Sequence, residues 1–222
     1  MIQKREQALR ISFAAGATSL IIFALLHLLE PEFDPIWRFI SEYQLGKFGW
    51  MMHLVFFSIV VSVISFFMAV RSYIRGVLAY IGTFFLIIGT IGFILATIFT
   101  SDPITATKAS FNGMLHSTGA ALGGHIGTAA LFLGLSFIRN KSLRPFRKYF
   151  IWITVVNSVV GTIAGVTMST MIAQSHNTFG PQLLVGIPNR VLFITYPLWL
   201  MAISWCFIQV SKQEKKKMGG SR

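Results

Sequence analysis

Five histidines (His27, His53, His116, His125 and His176), two acids (Glu42 and Asp102) and Arg190 are the residues of this 222-residue chain whose types suit proton transfer, metal binding or anion recognition. They stand inside or beside long apolar stretches, where an unpaired ionisable group costs several kcal/mol and therefore turns toward a partner or a wet cavity. His116 is the best placed. Positions 116, 119, 123 and 127 share one helical face, and Gly119, Gly123 and Gly127 make that face a ladder for close helix packing, so the imidazole points inward. There it suits a general base, a metal ligand, a ligand anchor or a side chain satisfied by one interhelical hydrogen bond. His125 follows after about 900° of helix, on the opposite face, and cannot share a compact metal site with His116.

A catalytic zinc ion takes about three protein ligands and one open position. Asp102, His116 and His176 are able to supply them, with Asp102 and His116 as catalytic candidates, but no HxxxH, HExxH or CxxC pattern accompanies them. Haem between His27 and His53 is disfavoured, because the histidines do not form two clear facing pairs. The single cysteine, Cys206, excludes an intrachain disulfide and a thiolate metal cage. Arg190 opens the last apolar stretch behind Pro188 and Asn189. It either snorkels to headgroup phosphates or pairs inward with Glu42 or Asp102, and the scarcity of other bases nearby favours the inward pair.

What must position these groups is a bilayer-spanning bundle. The chain is 54% hydrophobic and only 12% charged, with a mean hydropathy of +0.68. Soluble domains carry roughly a quarter charged residues, so a soluble enzyme and a disordered tail are both excluded. Charge-free runs long enough for ~30 Å of hydrocarbon, about 20 helical residues each, occur six times. They cover Ile11–Leu29, Trp50–Val70, Gly76–Phe99, Met114–Ile138, Tyr149–Ile172 and Val191–Val210. The first is too long for a secretory signal and lacks a small-residue cleavage pattern, which makes it a retained anchor. The spacing predicts an all-α, six-span bundle forming a single transmembrane domain over 1–222, with 211–222 as a basic tail.

The net charge of +12 would suggest nucleic acid on a soluble surface, but the bases crowd into short segments between the spans. The N-terminus, Arg71–Arg75, Arg139–Lys148 and the tail hold 15 of the 19 lysines and arginines, while five of the seven acids fall on the other connections. Both termini are therefore expected in the cytoplasm, with membrane lipids rather than nucleic acid as partners. Trp37, Trp50, Trp152 and Trp205 near the span ends agree with this placement.

The outer connections read as structured. In the first, Asp34 can cap a helix, Pro35 fits its first turn and Gly46 can end it in a left-handed conformation. A short amphipathic helix is expected there, with Ile36, Trp37, Ile40, Tyr43 and Gln44 on one side and Asp34, Arg38 and Glu42 spaced to pair along another. In the second, Asp102 caps a short helix or turns its carboxylate inward. Gly161, Gly165 and Ser169 predict that the fifth span packs closely on the fourth. Pro197 should kink the sixth, and the Ser58, Ser62, Ser65 stripe serves as interhelical glue.

The residues Ile40-Ser-Glu-Tyr-Gln-Leu-Gly46, Thr100-Ser-Asp-Pro103 and Gly113-Met-Leu-His116, followed by an arginine opening the last span, resemble the prokaryotic six-helix membrane family known only as domain of unknown function nine hundred and ninety-eight. That family is loosely similar to the Frag1/DRAM/Sfk1 group. The resemblance implies a fold and a prokaryotic membrane setting without an established activity, and it marks Ser41, Glu42, Gly46, Asp102, His116 and Arg190 as positions to test. A fainter likeness to the alkaline ceramidase hydrolases lacks their seventh span and their HxxxH pair. The expected function is binding or transport of a small polar ligand or lipid headgroup at an outward-facing pocket formed by Ser41, Glu42, Asp102, His116 and Arg190. A ceramidase-like, metal-dependent lipid hydrolase and a purely structural membrane protein are the alternatives.

Overall fold

The computed structural model describes residues 2–175 and 178–219; His176 lies outside them. Its helices are α1 (Ile2–Leu29), α2 (Gly49–Val70), α3 (Val77–Ile98), α4 (Phe111–Gly123), α5 (His125–Arg139), α6 (Arg147–Gln174) and α7 (Gly186–Gly219). No strand occurs among the described residues. Six spans are long and apolar enough to cross a membrane, α4 and α5 together making the fourth. Neighbours in sequence are neighbours in space. Helix α1 packs on α2, α2 on α3, α3 on both α4 and α5, α5 on α6, and α6 on α7, while α7 returns to α1 and closes the ring.

Side chains sort as a bilayer requires. Leu9, Leu26, Met52, Ile59, Phe66, Ile126, Phe137, Phe150, Trp199 and Phe207 fill the interior, with edge-to-face pairs such as Phe66–Trp199 at 5.5 Å and Phe137–Phe207 at 5.0 Å between centroids. Ile21, Leu28, Met68, Phe84, Ile163 and Val166 point outward, as apolar groups do when the solvent is hydrocarbon. Ser62 donates to the Ser12 carbonyl at 2.7 Å, and the Ser204 hydroxyl donates to that of Ser12 at 3.0 Å. The node, buried on all three sides, joins α2, α1 and α7.

Glycines decide how close the helices come. A Cβ on Gly92 of α3 would collide with the backbone of Gly119 and Gly123, and one on Gly82 with Leu133, so α3 and the fourth span touch backbone to backbone. The expected ladder on the fifth span behaves differently. Around Gly161 and Gly165 the nearest atoms are Thr195 Oγ1 at 3.7 Å and Leu192 Cδ1 at 4.0 Å, both on α7. The fifth span meets the fourth instead through Thr154 at Gly134 of α5, which packs on α6 as well as on α3, whereas α4 packs on α3. Between α4 and α5 the helix is interrupted at the single residue Gly124, whose φ −56 and ψ −24 remain helical. Helix α7 continues through Pro197 as one helix.

Residues 211–219 of the basic tail extend α7, and Glu214 takes hydrogen bonds from Arg5 and Tyr73 while Lys215 bonds Glu6. At the tight turn between α2 and α3, Gly76 holds φ +82, a left-handed conformation that suits glycine alone among common residues.

Candidate functional site

The first connection carries a short helix, but a six-residue 3-10 turn, Ile40–Leu45, rather than an α-helix starting at Asp34. Asp34 Oδ1 accepts from the Ile36 N–H at 2.9 Å and so closes a local turn. Phe39 precedes the 3-10 turn, and Glu42 reaches back to the Phe39 N–H at 2.9 Å. Gly46 is extended (φ −84, ψ 176), not left-handed. Its lack of a side chain serves close approach instead, since a Cβ there would strike the Glu30 carboxylate.

Ser41, Glu42 and Gln44 all reach the second connection, while Tyr43 turns to Arg190 of α7. The Ser41 hydroxyl donates to that of Ser101 at 3.3 Å. Glu42, fully buried, takes Arg38 Nη1 at 2.7 Å and the Ile104 N–H at 2.8 Å on one oxygen and the Phe39 N–H on the other. Gln44 donates to the Ala96 carbonyl at 2.9 Å and accepts from the Ser101 N–H at 3.0 Å. The first and second connections are thereby clasped into one roof. Helix α7 holds it from the other side, where Asn189 Oδ1 accepts from the Ile40 N–H at 3.0 Å and the Gly186 N–H donates to the Ile36 carbonyl at 2.9 Å.

Arg190 pairs with neither Glu42 nor Asp102. Its Nε donates to His27 Nε2 at 3.0 Å, Nη1 to the carbonyls of Arg38 at 2.6 Å and Gly186 at 3.2 Å, and Nη2 to the Tyr43 hydroxyl at 3.4 Å. A guanidinium fork can reach several acceptors at fixed angles, which an ammonium cannot. The Arg190 bond requires the free Nε2 lone pair of His27, and the Phe23 carbonyl, 2.8 Å from Nδ1, holds that tautomer. His53 turns instead to the Thr97 carbonyl at 2.6 Å, so the two histidines serve different neighbours. Burial raises the Tyr43 phenol above its ordinary value, with Arg190 acting against the shift. Burial likewise raises the Glu30 carboxyl, which accepts from the Phe48 N–H on Oε1 and has no partner for Oε2 among the described residues.

Asp102 is committed to its own loop. Oδ2 accepts from the Ser110 N–H and Oδ1 from the Ser110 hydroxyl, both at 2.7 Å, and that hydroxyl caps α4 through the Gly113 N–H at 2.9 Å. Below the loop, His116 is 3% exposed with Nδ1 at 2.9 Å from the Phe99 carbonyl, which accepts its N–H. His125, past the helix break, stacks on Phe85 at 5.2 Å. Among the described residues no three His, Cys, Asp or Glu side chains approach closely enough to hold a metal ion together.

Under the roof lies a cavity of about 560 Å³. Its body is apolar, walled by Phe56, Phe93, Met168, Leu192, Phe193 and Tyr196, and its polar groups, Ser41, Ser101, Asp102, Lys108, His116 and Asn189, gather toward the roof. Of the residues predicted to bind a ligand, Ser41, Asp102 and His116 border this space, while Glu42 and Arg190 stand behind it and shape the roof. Sequence reasoning passed over Gln44 and Lys108 as site residues, and Asn189 as well; the only signal for Asn189 was its place beside Arg190 after a proline.

The family described as protein of unknown function (DUF998) matches residues 13–206, which takes in every roof and cavity residue named above. No curated protein and no solved structure matches the chain.

Proposed function

We propose that this chain, which belongs to the DUF998 family of proteins of unknown function, binds a small polar ligand or lipid headgroup in the cavity beneath its clasped connections. The carrying observation is the division of that cavity of about 560 Å³ into an apolar body and a hydrogen-bonding end formed by Ser41, Ser101, His116 and Asn189. Ligand sites commonly combine apolar walls with a few convergent polar groups, within roughly 300–1,000 Å³. With the termini in the cytoplasm, as the lysine and arginine distribution predicts, the polar end faces outward.

Glu42 and Arg190 serve this reading as positioning residues. They hold the irregular backbone that a wall of this kind needs, in surroundings where unsatisfied peptide groups are costly. The test is native mass spectrometry of the protein taken from its membranes, beside Leu192→Trp, which fills the cavity. A molecule retained at one per chain by the wild type and absent from the variant is the expected result. A chain that carries nothing, and whose unfolding temperature responds to no added lipid or polar solute in either form, removes the reading.

A further inference from the structure

We infer that the cavity takes a single-chain anionic amphiphile, a carboxylate or phosphate monoester on one acyl chain, and admits it sideways from the bilayer through the gap between α4 and α6. This rests on the binding reading above and adds the ligand class and the route.

The route follows from how the fourth span breaks. Helix α4 lies on α3, backbone to backbone at Gly92, and has no extended packing on α6 or α7, whereas α5 does pack on α6. On the roof side of Gly124 the fourth span therefore lacks the contact with α6 that α5 makes below it. Ser117, Ala120 and Ala121, all small and exposed, line the cavity from α4, and Met168 and Ile172 line it from α6. Entry from above would instead have to undo the Ser41–Ser101, Glu42–Ile104, Gln44–Ser101 and Asn189–Ile40 contacts. An apolar body reached from hydrocarbon selects a molecule with a chain, and a volume of about 560 Å³ lies in the lower half of the usual range, which suits one chain rather than two.

The sign of the headgroup follows from which polar groups are already committed. Both oxygens of Asp102 are taken by Ser110, and both oxygens of Glu42 by Arg38 and the Phe39 and Ile104 N–H groups. Besides His116, whose N–H is given to the Phe99 carbonyl, the side chains at the polar end with uncommitted capacity are the donors of Lys108 and Asn189. Lys108 makes no ion pair among the described residues, and Asn189 Nδ2, whose Oδ1 is held by the Ile40 N–H, donates only to the Met168 sulfur at 3.5 Å. Free donors, one of them the Lys108 ammonium, beside carboxylates whose oxygens are already occupied fit an anion.

The full-length protein in phosphatidylcholine vesicles is to be photolabelled with a diazirine-bearing fatty acid. Competitors are an unlabelled fatty acid, a lysophosphatidate, a neutral monoacylglycerol and the chainless acetate and glycerol phosphate. The expected result is saturable labelling on Ser117–Gly124 and Met168–Ile172, displaced by the fatty acid or the lysophosphatidate but not by the monoacylglycerol. Which anion displaces better tells the carboxylate from the phosphate. Ala121→Trp should abolish labelling, and so should alkylating Ser117→Cys after folding, which leaves the buried Cys206 untouched. Lys108→Gln should weaken labelling about fivefold, the scale of one exposed charge contact. Equal competition by the monoacylglycerol, or labelling indifferent to a plug at residues 117 and 121, overturns the inference. If only the chainless anions bind, it falls while the binding reading stands; if nothing binds, both fall.

Discussion

The two ends of the bundle use charge in opposite ways. At the end bearing the termini, side chains meet side chains: Arg5 with Glu214, Lys215 and Arg10 with Glu6, and Tyr73 with Glu214. At the roof, side chains mostly meet backbone: Glu42 takes two N–H groups, Arg190 gives to two carbonyls and Gln44 serves one of each. The first arrangement zips two helices that would be helical anyway. The second fixes the path of loops that have no internal ladder of their own, so each of its groups is tied to one position and one chemistry.

The contrast is broken most severely at Glu42. Glu42→Ala strands Arg38 and two N–H groups at a fully buried position. It should cost about 3–5 kcal/mol, the usual effect of removing one partner of a buried ion pair. Thermal unfolding in detergent measures it, and a loss below that of a terminal-end mutation would show that the roof is not what Glu42 holds. Arg190→Lys keeps the charge but not the fork, and should cost about 2–3 kcal/mol. Because Arg190 and Glu42 do not touch and are linked only through Arg38, exchanging their charges should not restore the single mutants, and recovery of wild-type stability in the swap would contradict the geometry.

Gly46→Ala pushes a methyl group into the Glu30 carboxylate and should cost about 1–3 kcal/mol, as overpacking does. Shortening Glu30 in the same chain should recover part of it. Glu30 also gives the roof a pH signature. Its native pKa is raised above the ordinary 4.5 by burial, so above that pH the folded chain retains a proton that the unfolded chain releases. Stability therefore declines as pH rises through the native value. Glu30→Gln should match the wild type in acid and exceed it progressively toward neutral pH; parallel melting curves across that range would dismiss the idea. The smallest effect belongs to the opposite end. Glu214→Ala, at a half-exposed pair, should cost about 0.2–1 kcal/mol and less in high salt.

The spans were legible because crossing hydrocarbon demands length and apolarity together, and nothing else in a chain imitates that pattern. Ser41, Glu42, Asp102, His116 and Arg190 stood out for a related reason, since polar groups are scarce enough here to be conspicuous. Their partners were not. Arg190 was expected to seek a carboxylate, but it found His27 and two carbonyls, and carbonyls leave no mark in a sequence. Gly124 was hidden because the fourth span holds Gly119, Gly123, Gly124 and Gly127, of which Gly119 and Gly123 meet α3 while Gly124 and Gly127 both face Tyr196, a division that spacing does not show. Gly161 and Gly165 failed as a guide for the same reason: a smooth face permits close contact without requiring it.

The serine node has a mechanical consequence. Ser12, Ser62 and Ser204 fasten three helices to one another deep in the core, where breaking a hydroxyl pair leaves it with no water to turn to. Helices α1, α2 and α7 are thereby locked in register at one depth, so removing any one of the three hydroxyls leaves a buried partner unsatisfied and loosens the two other helices together.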